Sequence, residues 1–391
     1  MWTKVYPRPP IDGGWILCYN GKQMESILHA FLTANETPYR SWAERYPDRQ
    51  AMGYICTYTP EEVIEAAGFT AVRLRTGPEF PTQAEACLQS FTCVLCRSVL
   101  HQALCGDLAF LSGLVFPHTC DTLQVLADIW RENFPELFVA TVAQPLNLGS
   151  PNTRPYLIAE LQRFRQGLAE FSGQPISEDS LRASIRLHNE TRHLLSQLDN
   201  RRSRLTARGF YAAMEASMVM PKEQFNPLAA ELVELLSKEA PRQGEPRFIL
   251  IGPVLDDPTV LDIIDDLGAC VVGDDLCTGS RYFDQPVAET EEGGPIKALA
   301  DRYLKRWPCP IKHSLRGQRG EHLLELVEER KADGLVFTLQ KFCEPHAFDY
   351  AIIKETLDVA GVPHLVLELE HTPAVGQLRT RLEAFSEMLK T

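Results

Sequence analysis

Two cysteines in this 391-residue chain each follow a copy of one apolar tetrapeptide. Gly113-Leu114-Val115-Phe116 leads to Cys120, and Gly334-Leu335-Val336-Phe337 leads to Cys343. Such runs read as short buried strands, and a helical segment and another apolar strand follow each of them. In an open parallel sheet, ligands collect just outside the carboxyl ends of the strands. Both thiols therefore sit where α/β proteins keep their chemistry. Cys93, in Cys93-Val94-Leu95-Cys96-Arg97, is a third candidate and is followed by a helical segment in the first half. Thiolates delivered from two halves of a chain suit a metal cluster at a domain interface.

Other cysteine chemistry fits poorly. The eleven cysteines are odd in number and widely spaced, which argues against a disulfide framework. Cys-x-x-Cys occurs once, at Cys93 and Cys96, whereas a zinc ribbon needs a second pair. A structural zinc protein is the bland alternative. Met1 to Pro10 has no apolar core or cleavage-like signal, and no stretch approaches the ~20 apolar residues of a membrane span. We expect a cytoplasmic protein, whose thiols stay reduced. The net charge of −13 disfavours a nucleic-acid partner.

Several enzyme classes lack their signature. No Gly-x-Gly-x-x-Gly follows a strand, and there is no Walker A loop, His-Glu-x-x-His or Gly-x-Ser-x-Gly. ATP hydrolysis by this chain is therefore not expected.

The elements that must position the cysteines alternate. Strands near 53–57, 70–74, 113–116 and 137–142 are separated by helices near 60–67, 93–104 and 121–132, which implies parallel pairing with right-handed crossovers. Pro60 suits a first helical turn, Glu61 and Glu62 favour the positive end of its dipole, and Gly68 stops it. From about 155 to 238 only helical periodicity remains, in segments 159–171, 180–198 and 227–238, with Ser177 and Ser180 marking one entry. Alternation then resumes, with strands at 247–251, 269–273, 334–338 and 364–369 and helices near 259–267, 295–306, 320–331, 348–360 and 375–389. Length alone calls for two or three domains. The pattern predicts an α/β chain of two Rossmann-like (flavodoxin-like) parallel-sheet domains, 1–154 and 245–391, joined by a helical bridge at 155–244. Each half is expected to have its own core.

Five stretches in this order have a specific look. They are Gly53-Tyr54-Ile55-Cys56-Thr57-Tyr58-Thr59-Pro60-Glu61-Glu62, running on to Gly68; Pro117-His118-Thr119-Cys120-Asp121; and Gly273-Asp274-Asp275-Leu276-Cys277-Thr278-Gly279-Ser280-Arg281-Tyr282-Phe283. The others are Gln340-Lys341-Phe342-Cys343-Glu344-Pro345-His346 and Gly376-Gln377-Leu378-Arg379-Thr380-Arg381. Together they resemble the family of 2-hydroxyacyl-CoA dehydratase subunits and ATP-dependent benzoyl-CoA reductase subunits, which includes the double-cubane cluster proteins. The likeness runs from about Gly53 to the C-terminus.

The resemblance implies a 4Fe–4S cluster held by Cys93, Cys120 and Cys343 in the interface between the α/β domains, or a double-cubane 8Fe–9S cluster. Three thiolates leave one iron open, as a catalytic cluster requires, whereas an electron relay usually has four. It also implies a homologous second subunit or a homodimer, and an ATP-hydrolysing iron–sulfur activator that delivers one low-potential electron. The acyl-CoA substrate would become a ketyl-type radical anion that expels a hydroxyl or accepts protons. Two rival readings stay open: a double-cubane reductase of small molecules, and a non-catalytic partner subunit of such a complex.

Individual residues carry alternatives. Cys96 competes with Cys93, although Cys93-x-x-x-Arg97-Ser98 is the family-like frame. Cys56, Cys87, Cys105, Cys270, Cys277 and Cys309 read as small buried hydrophobes, Cys56 and Cys277 least comfortably because both lie at strand ends. The resemblance puts a carboxylate at Glu61 near the substrate, hence a catalytic candidate; the competing reading is helix stabilisation. His118 and His346 could bond a sulfur but fit helix caps better. Asp274 and Asp275 fit capping or solvated acids better than a metal pair. Arg281 could meet a CoA phosphate or a neighbouring acid.

Overall fold

The computed structural model describes residues 21–35, 39–289, 293–307, 309–312, 317–371 and 374–390. The reading of Met1–Pro10 falls outside them. The described chain opens with a helix that the strand-centred sequence pattern did not suggest, α1 (Lys22–Ala34), followed by one turn, α2 (Trp42–Arg45). The first alternating series is β1 (Gln50–Tyr54), α3 (Glu61–Ala66), β2 (Phe69–Arg73), α4 (Val94–Leu104), β3 (Leu111–His118), α5 (Asp121–Asn133) and β4 (Phe138–Ala143). Helices alone follow: α6 (Thr153–Ser172), α7 (Glu178–Asp199), α8 (Ala207–Ala216) and α9 (Lys222–Ser237). The second series is β5 (Arg247–Gly252), α10 (Thr259–Asp266), β6 (Cys270–Leu276), α11 (Ser280–Phe283), α12 (Pro295–Lys305), α13 (Gln318–Arg330), β7 (Gly334–Gln340), α14 (Glu344–Ala360), β8 (His364–Leu369) and α15 (Val375–Leu389).

The strands form two four-stranded parallel sheets of the same order, β2-β1-β3-β4 and β6-β5-β7-β8. The two Gly-Leu-Val-Phe copies occupy equivalent inner strands, β3 and β7. Both glycines sit under close neighbours. A Cβ on Gly113 would lie 2.2 Å from the carbonyl oxygen of Phe138 on β4, and one on Gly334 would lie 2.8 Å from the Phe385 ring.

Alternation along the strands splits their side chains between two cores. On β5, Phe248 and Leu250 face inward, while Ile249 and Ile251 face the outer helices. The inner faces of both sheets join one continuous apolar cluster. Leu114 and Phe116 enter it from the first sheet, and Phe248, Leu250, Val336 and Leu367 from the second. Leu198, Phe210, Met214, Phe225 and Leu232 from the helical middle fill the same cluster. The expectation of a separate core in each half therefore holds only for the outer face of the second sheet, because the outer core of the first also takes Leu157, Leu161 and Ile185 from the helical middle and Ile296, Leu299 and Tyr303 from α12. The physical reason is that the helical middle buries its apolar stripe between the sheets rather than bridging them through solvent.

Helix ends follow local chemistry. Ser177 accepts the Ser180 amide at 3.0 Å and opens α7, as its sequence suggests. Helix α9 begins at Lys222, ahead of the Pro227 start read from the sequence, because buried Phe225 extends its apolar face. Among the described residues no helix is long and apolar enough to cross a membrane.

Candidate functional site

In each sheet the chain leaves its first strand to one side and returns to pair on the other, so β1/β3 and β5/β7 are topological switch points. Crevices form outside the carboxyl ends of such strands. Both crevices open into one cavity of about 550 Å³. Its wall takes Cys56 from just beyond β1, Thr119 and Cys120 from beyond β3, Val254 from beyond β5, Cys277 from beyond β6 and Cys343 from beyond β7. Cys93 and Cys96 at the head of α4, and Cys309 with Lys312, complete it.

Seven cysteines thus share one cavity: Cys56, Cys93, Cys96, Cys120, Cys277, Cys309 and Cys343. Seven thiols around one space are more than hydrophobic filling requires. Cys87, Cys105 and Cys270 lie elsewhere.

Cys93, Cys120 and Cys343 have a common local design. Each is the residue that caps the N-terminus of a helix, respectively α4, α5 and α14. Unpaired amides and the helix dipole favour an anion there. Directly before Cys343, Phe342 adopts a left-handed φ of 64°, an uncommon conformation for a bulky residue and one that clusters at functional sites. Burial pushes the Cys120 thiol up to about 12, against the pull of the Leu123 amide. Burial also raises Cys343 well above the ordinary thiol range, and the sulfurs of Cys93, Cys120 and Cys277 add to the rise. Cys93 is lowered, first by a hydrogen bond from Cys96, while the same contact raises Cys96. That contact shows why the two cysteines compete: they touch one another and the same space.

A second set stands opposite. Cys277 shares a hydrogen bond with Cys309, which lowers Cys277 and raises Cys309. The His346 ring also bonds Cys277, and Arg281 Nη1 lies 3.5 Å from its sulfur. Cys56 is raised by burial and then by Cys277, and Thr119 Oγ1 stands 3.9 Å from its sulfur. These three, read from the sequence as small buried hydrophobes, are buried or half-buried in the structure and also stand on the cavity wall. The signal in the sequence was the placement of Cys56 and Cys277 at strand ends. Cys309 carried none, because it reaches the cavity on a loop.

Cations surround this second set. Arg281 and Arg319 clasp the buried Asp275 carboxylate at 2.5–2.8 Å, and Arg319 also holds Asp349 at 2.8 Å. Asp275 is held far below the usual carboxylate range because these two guanidiniums outweigh its burial. Arg281 thus meets the neighbouring acid. Asp274 accepts the Ser280 amide at 2.7 Å, a cap at the start of α11, and is buried against Arg202 and Tyr211. Neither acid is solvated. Lys312 Nζ donates to the Pro145 carbonyl at 2.7 Å, and burial holds it down to about 8. His346 is buried and bonded to a sulfur rather than serving only as a cap, whereas His118 does not line the cavity.

Glu61 also stands outside the cavity wall. It lies buried in the first turn of α3, where the Tyr282 hydroxyl donates to Oε2 at 2.9 Å and Lys222 Nζ lies 3.5 Å away. Its surroundings bind helices α3, α9 and α11 together.

Among the described residues no three histidine, cysteine or acidic side chains converge on a single ion. A cubane is a larger body whose irons present separate ligand positions, and iron–sulfur clusters take thiolates. The donor set here is thiol-rich and sits at helix N-termini, with Arg73, Lys312 and Arg319 sharing the wall with Asp121, Glu344 and Asp349; seven thiols suit an iron–sulfur group better than a lone cation.

The α/β folding, the paired switch-point crevices and the cysteine-lined cavity coincide with the span recognised by one protein family. The chain belongs to the 2-hydroxyglutaryl-CoA dehydratase D-component family, whose model matches residues 56–389. It is 28% identical over 366 residues to one of the benzoyl-CoA reductase subunits of Thauera aromatica, covering 90% of this chain and 94% of that one. It is 27% identical over 349 residues to the (R)-phenyllactyl-CoA dehydratase beta subunit of Clostridium sporogenes, covering 87% and 92%. To the lactoyl-CoA dehydratase subunit beta of Anaerotignum propionicum it is 27% identical over 377 residues, covering 94% and 100%.

Proposed function

We propose that this chain is an iron–sulfur subunit of the 2-hydroxyacyl-CoA dehydratase and benzoyl-CoA reductase type, with Cys93, Cys120 and Cys343 as ligands of a 4Fe–4S cluster. The observation that carries this reading is the convergence of these cysteines, from both alternating series, on one switch-point cavity. Bound there, the cluster supplies low-potential one-electron chemistry, with one iron free of cysteine. The chain's own contribution is to bury the thiols, to place three of them at helix N-termini, and to set Arg73, Lys312 and Arg319 on the same wall. Phe342, Phe348 and Ile352 form an apolar rim; Phe348 is 73% exposed. That rim and the "beta subunit" names of the relatives support a homologous second subunit. In this reading an ATP-hydrolysing activator supplies the electron, the substrate is an acyl-CoA, and the protein works in a reducing, cytoplasmic setting. Glu61, outside the wall, acts through the buried Tyr282–Lys222 network.

A second reading is favoured by a specific observation. Cys56, Cys277 and Cys309 give the same cavity a second thiol triad. Two triads suit a double-cubane 8Fe–9S cluster and a reductase of small molecules that needs no CoA group. Anaerobic purification with iron and sulfide analysis separates the readings. About four irons per chain, unaffected by Cys56→Ser and Cys277→Ser, supports the single cluster. Roughly twice that iron, halved by either variant, supports the double cubane. A protein that binds no iron when reconstituted anaerobically removes both. Turnover of acyl-CoA substrates with an activator then decides between dehydration or reduction of a thioester and chemistry without one.

A further inference from the structure

Buried cations in this protein are almost all paired. Among the described residues, the buried arginines from Arg75 to Arg319 each have a carboxylate partner, for example Glu215 for Arg75 and Asp284 for Arg306. Buried Lys222 has Glu61. The two exceptions are Arg73 and Lys312, which have no carboxylate partner among the described residues. Both line the cysteine cavity.

Arg73 is firmly placed. It ends β2, its amide donates to the Met218 carbonyl at 2.9 Å, and its carbonyl accepts the Tyr39 hydroxyl at 2.9 Å. Its guanidinium reaches from the first sheet to the loop beyond β6, where Nη1 donates to the Cys277 carbonyl at 2.8 Å. Nη2 is buried with no hydrogen-bond partner. Lys312 spends its hydrogen bond on a neutral carbonyl and stands 4.6 Å from the Tyr58 ring centroid. The charges of both act on Cys56, and that of Lys312 also acts on Cys309.

A buried charge without a partner costs several kcal/mol, and a buried donor left unmet costs more again. Asp121, Glu344 and Asp349 share the cavity wall, Asp349 bound to Arg319, but none pairs with Arg73 or Lys312; in a chain with 52 acidic residues against 39 basic ones, two such cations at one cavity mark the place of an anion. We propose that Arg73 and Lys312 are the counter-charges of the anionic sulfur group bound beside Cys56, Cys277 and Cys309, and that Arg73 supplies it with an N–H donor. Both are positioning residues: they set how easily the group accepts an electron. This inference rests on the double-cubane reading above.

The sign follows from charge. Adding an electron makes the group more negative, so a nearby cation favours the reduced state, and removing the cation makes reduction harder. The test is an anaerobic redox titration followed by electron paramagnetic resonance, on wild type, Arg73→Gln, Arg73→Lys and Lys312→Met, with iron and sulfide measured in each. We expect Arg73→Gln and Lys312→Met to lower the midpoint potential by at least tenfold in the reduction equilibrium, about 59 mV for one electron. Arg73→Lys, which keeps the charge, should shift it less. Unchanged potentials in Arg73→Gln and Lys312→Met at full iron content overturn the proposal. If Arg73→Gln loses iron while Arg73→Lys keeps it, the counter-charge role is supported. Loss in both with an unchanged potential in Lys312→Met makes Arg73 merely structural and overturns it. A wild type whose iron is indifferent to Cys56, Cys277 and Cys309 instead defeats the double-cubane reading.

Discussion

Replacing Arg192 with methionine should reverse the pH dependence of this protein's stability. Glu62 lies fully buried in the first turn of α3, and Arg192 on α7 pairs with it across the helix contact behind the first sheet. Burial pushes the Glu62 carboxyl up, but Arg192, His188 and Arg302 outweigh it and hold the group at about 2, against an ordinary 4.5. At 1.36 kcal/mol per pH unit this difference amounts to about 3 kcal/mol. A depressed carboxyl stabilises the fold fully above its unfolded value of 4.5, and the contribution fades as pH falls toward 2. Between pH 5 and pH 8 the wild type should therefore be flat in this term. Without Arg192, burial is opposed only by the smaller effects of His188 and Arg302, and the carboxyl is expected to rise above its unfolded value. Stability is then greatest where Glu62 is protonated and falls as pH climbs. At pH 7 the loss should reach ~3–5 kcal/mol, as for a broken buried pair. The Glu62→Gln/Arg192→Met double variant removes the stranded charge, so it should be more stable than Arg192→Met and lack the pH slope. Urea unfolding at pH 5, 6, 7 and 8 reads all three. An Arg192→Met variant as flat as wild type, or no more stable when Glu62 is also neutralised, refutes the reasoning.

The repeated glycines should differ in tolerance. Alanine at position 113 meets the Phe138 backbone oxygen at 2.2 Å, whereas alanine at 334 meets the ends of the Phe385 and Leu389 side chains at 2.8 and 3.0 Å. Gly113→Ala should cost at least the ~1–3 kcal/mol of overpacking, and Gly334→Ala less, because side-chain ends can yield; equal losses on thermal unfolding would contradict this. Cys120→Ser and Cys343→Ser should each abolish iron binding while leaving far-ultraviolet circular dichroism near wild type, since a hydroxyl is a harder and poorer ligand than a thiolate. Full anaerobic iron occupancy in either variant would remove that residue from the ligand set. Cys96→Ala should keep iron and Cys93→Ala should lose it, and the opposite result would exchange the two assignments. Because burial holds the Cys120 thiol up to about 12, binding must strip a proton from it. Metal uptake by the apoprotein should therefore strengthen from pH 6 to pH 8 with proton release, and pH-independent uptake would count against thiolate ligation at Cys120.

What the sequence determined alone is mostly local and periodic. The alternation of short apolar runs with 3.6-periodic helices marked all eight strands of the two sheets, although the first, read at 53–57, forms three residues earlier at Gln50–Tyr54, and the repeated Gly-Leu-Val-Phe marked two equivalent inner strands. Strand-end position then singled out Cys120 and Cys343, because the geometry of parallel sheets fixes where such residues go. Helix α1 precedes the first strand and lies outside the strand–helix alternation that carried the signal. Tertiary structure decided what depends on elements distant in sequence. Cys309 reaches the cavity on a loop with no periodic signal, and Cys56 and Cys277 meet only because β1 and β6 end on the same cavity. Arg73 reads as an ordinary end of a strand. Its missing carboxylate is a property of its surroundings, which include a loop 204 residues away. The shared core likewise arises from packing: amphipathic periodicity shows that a helix has an apolar face, but not that both sheets will bury it together.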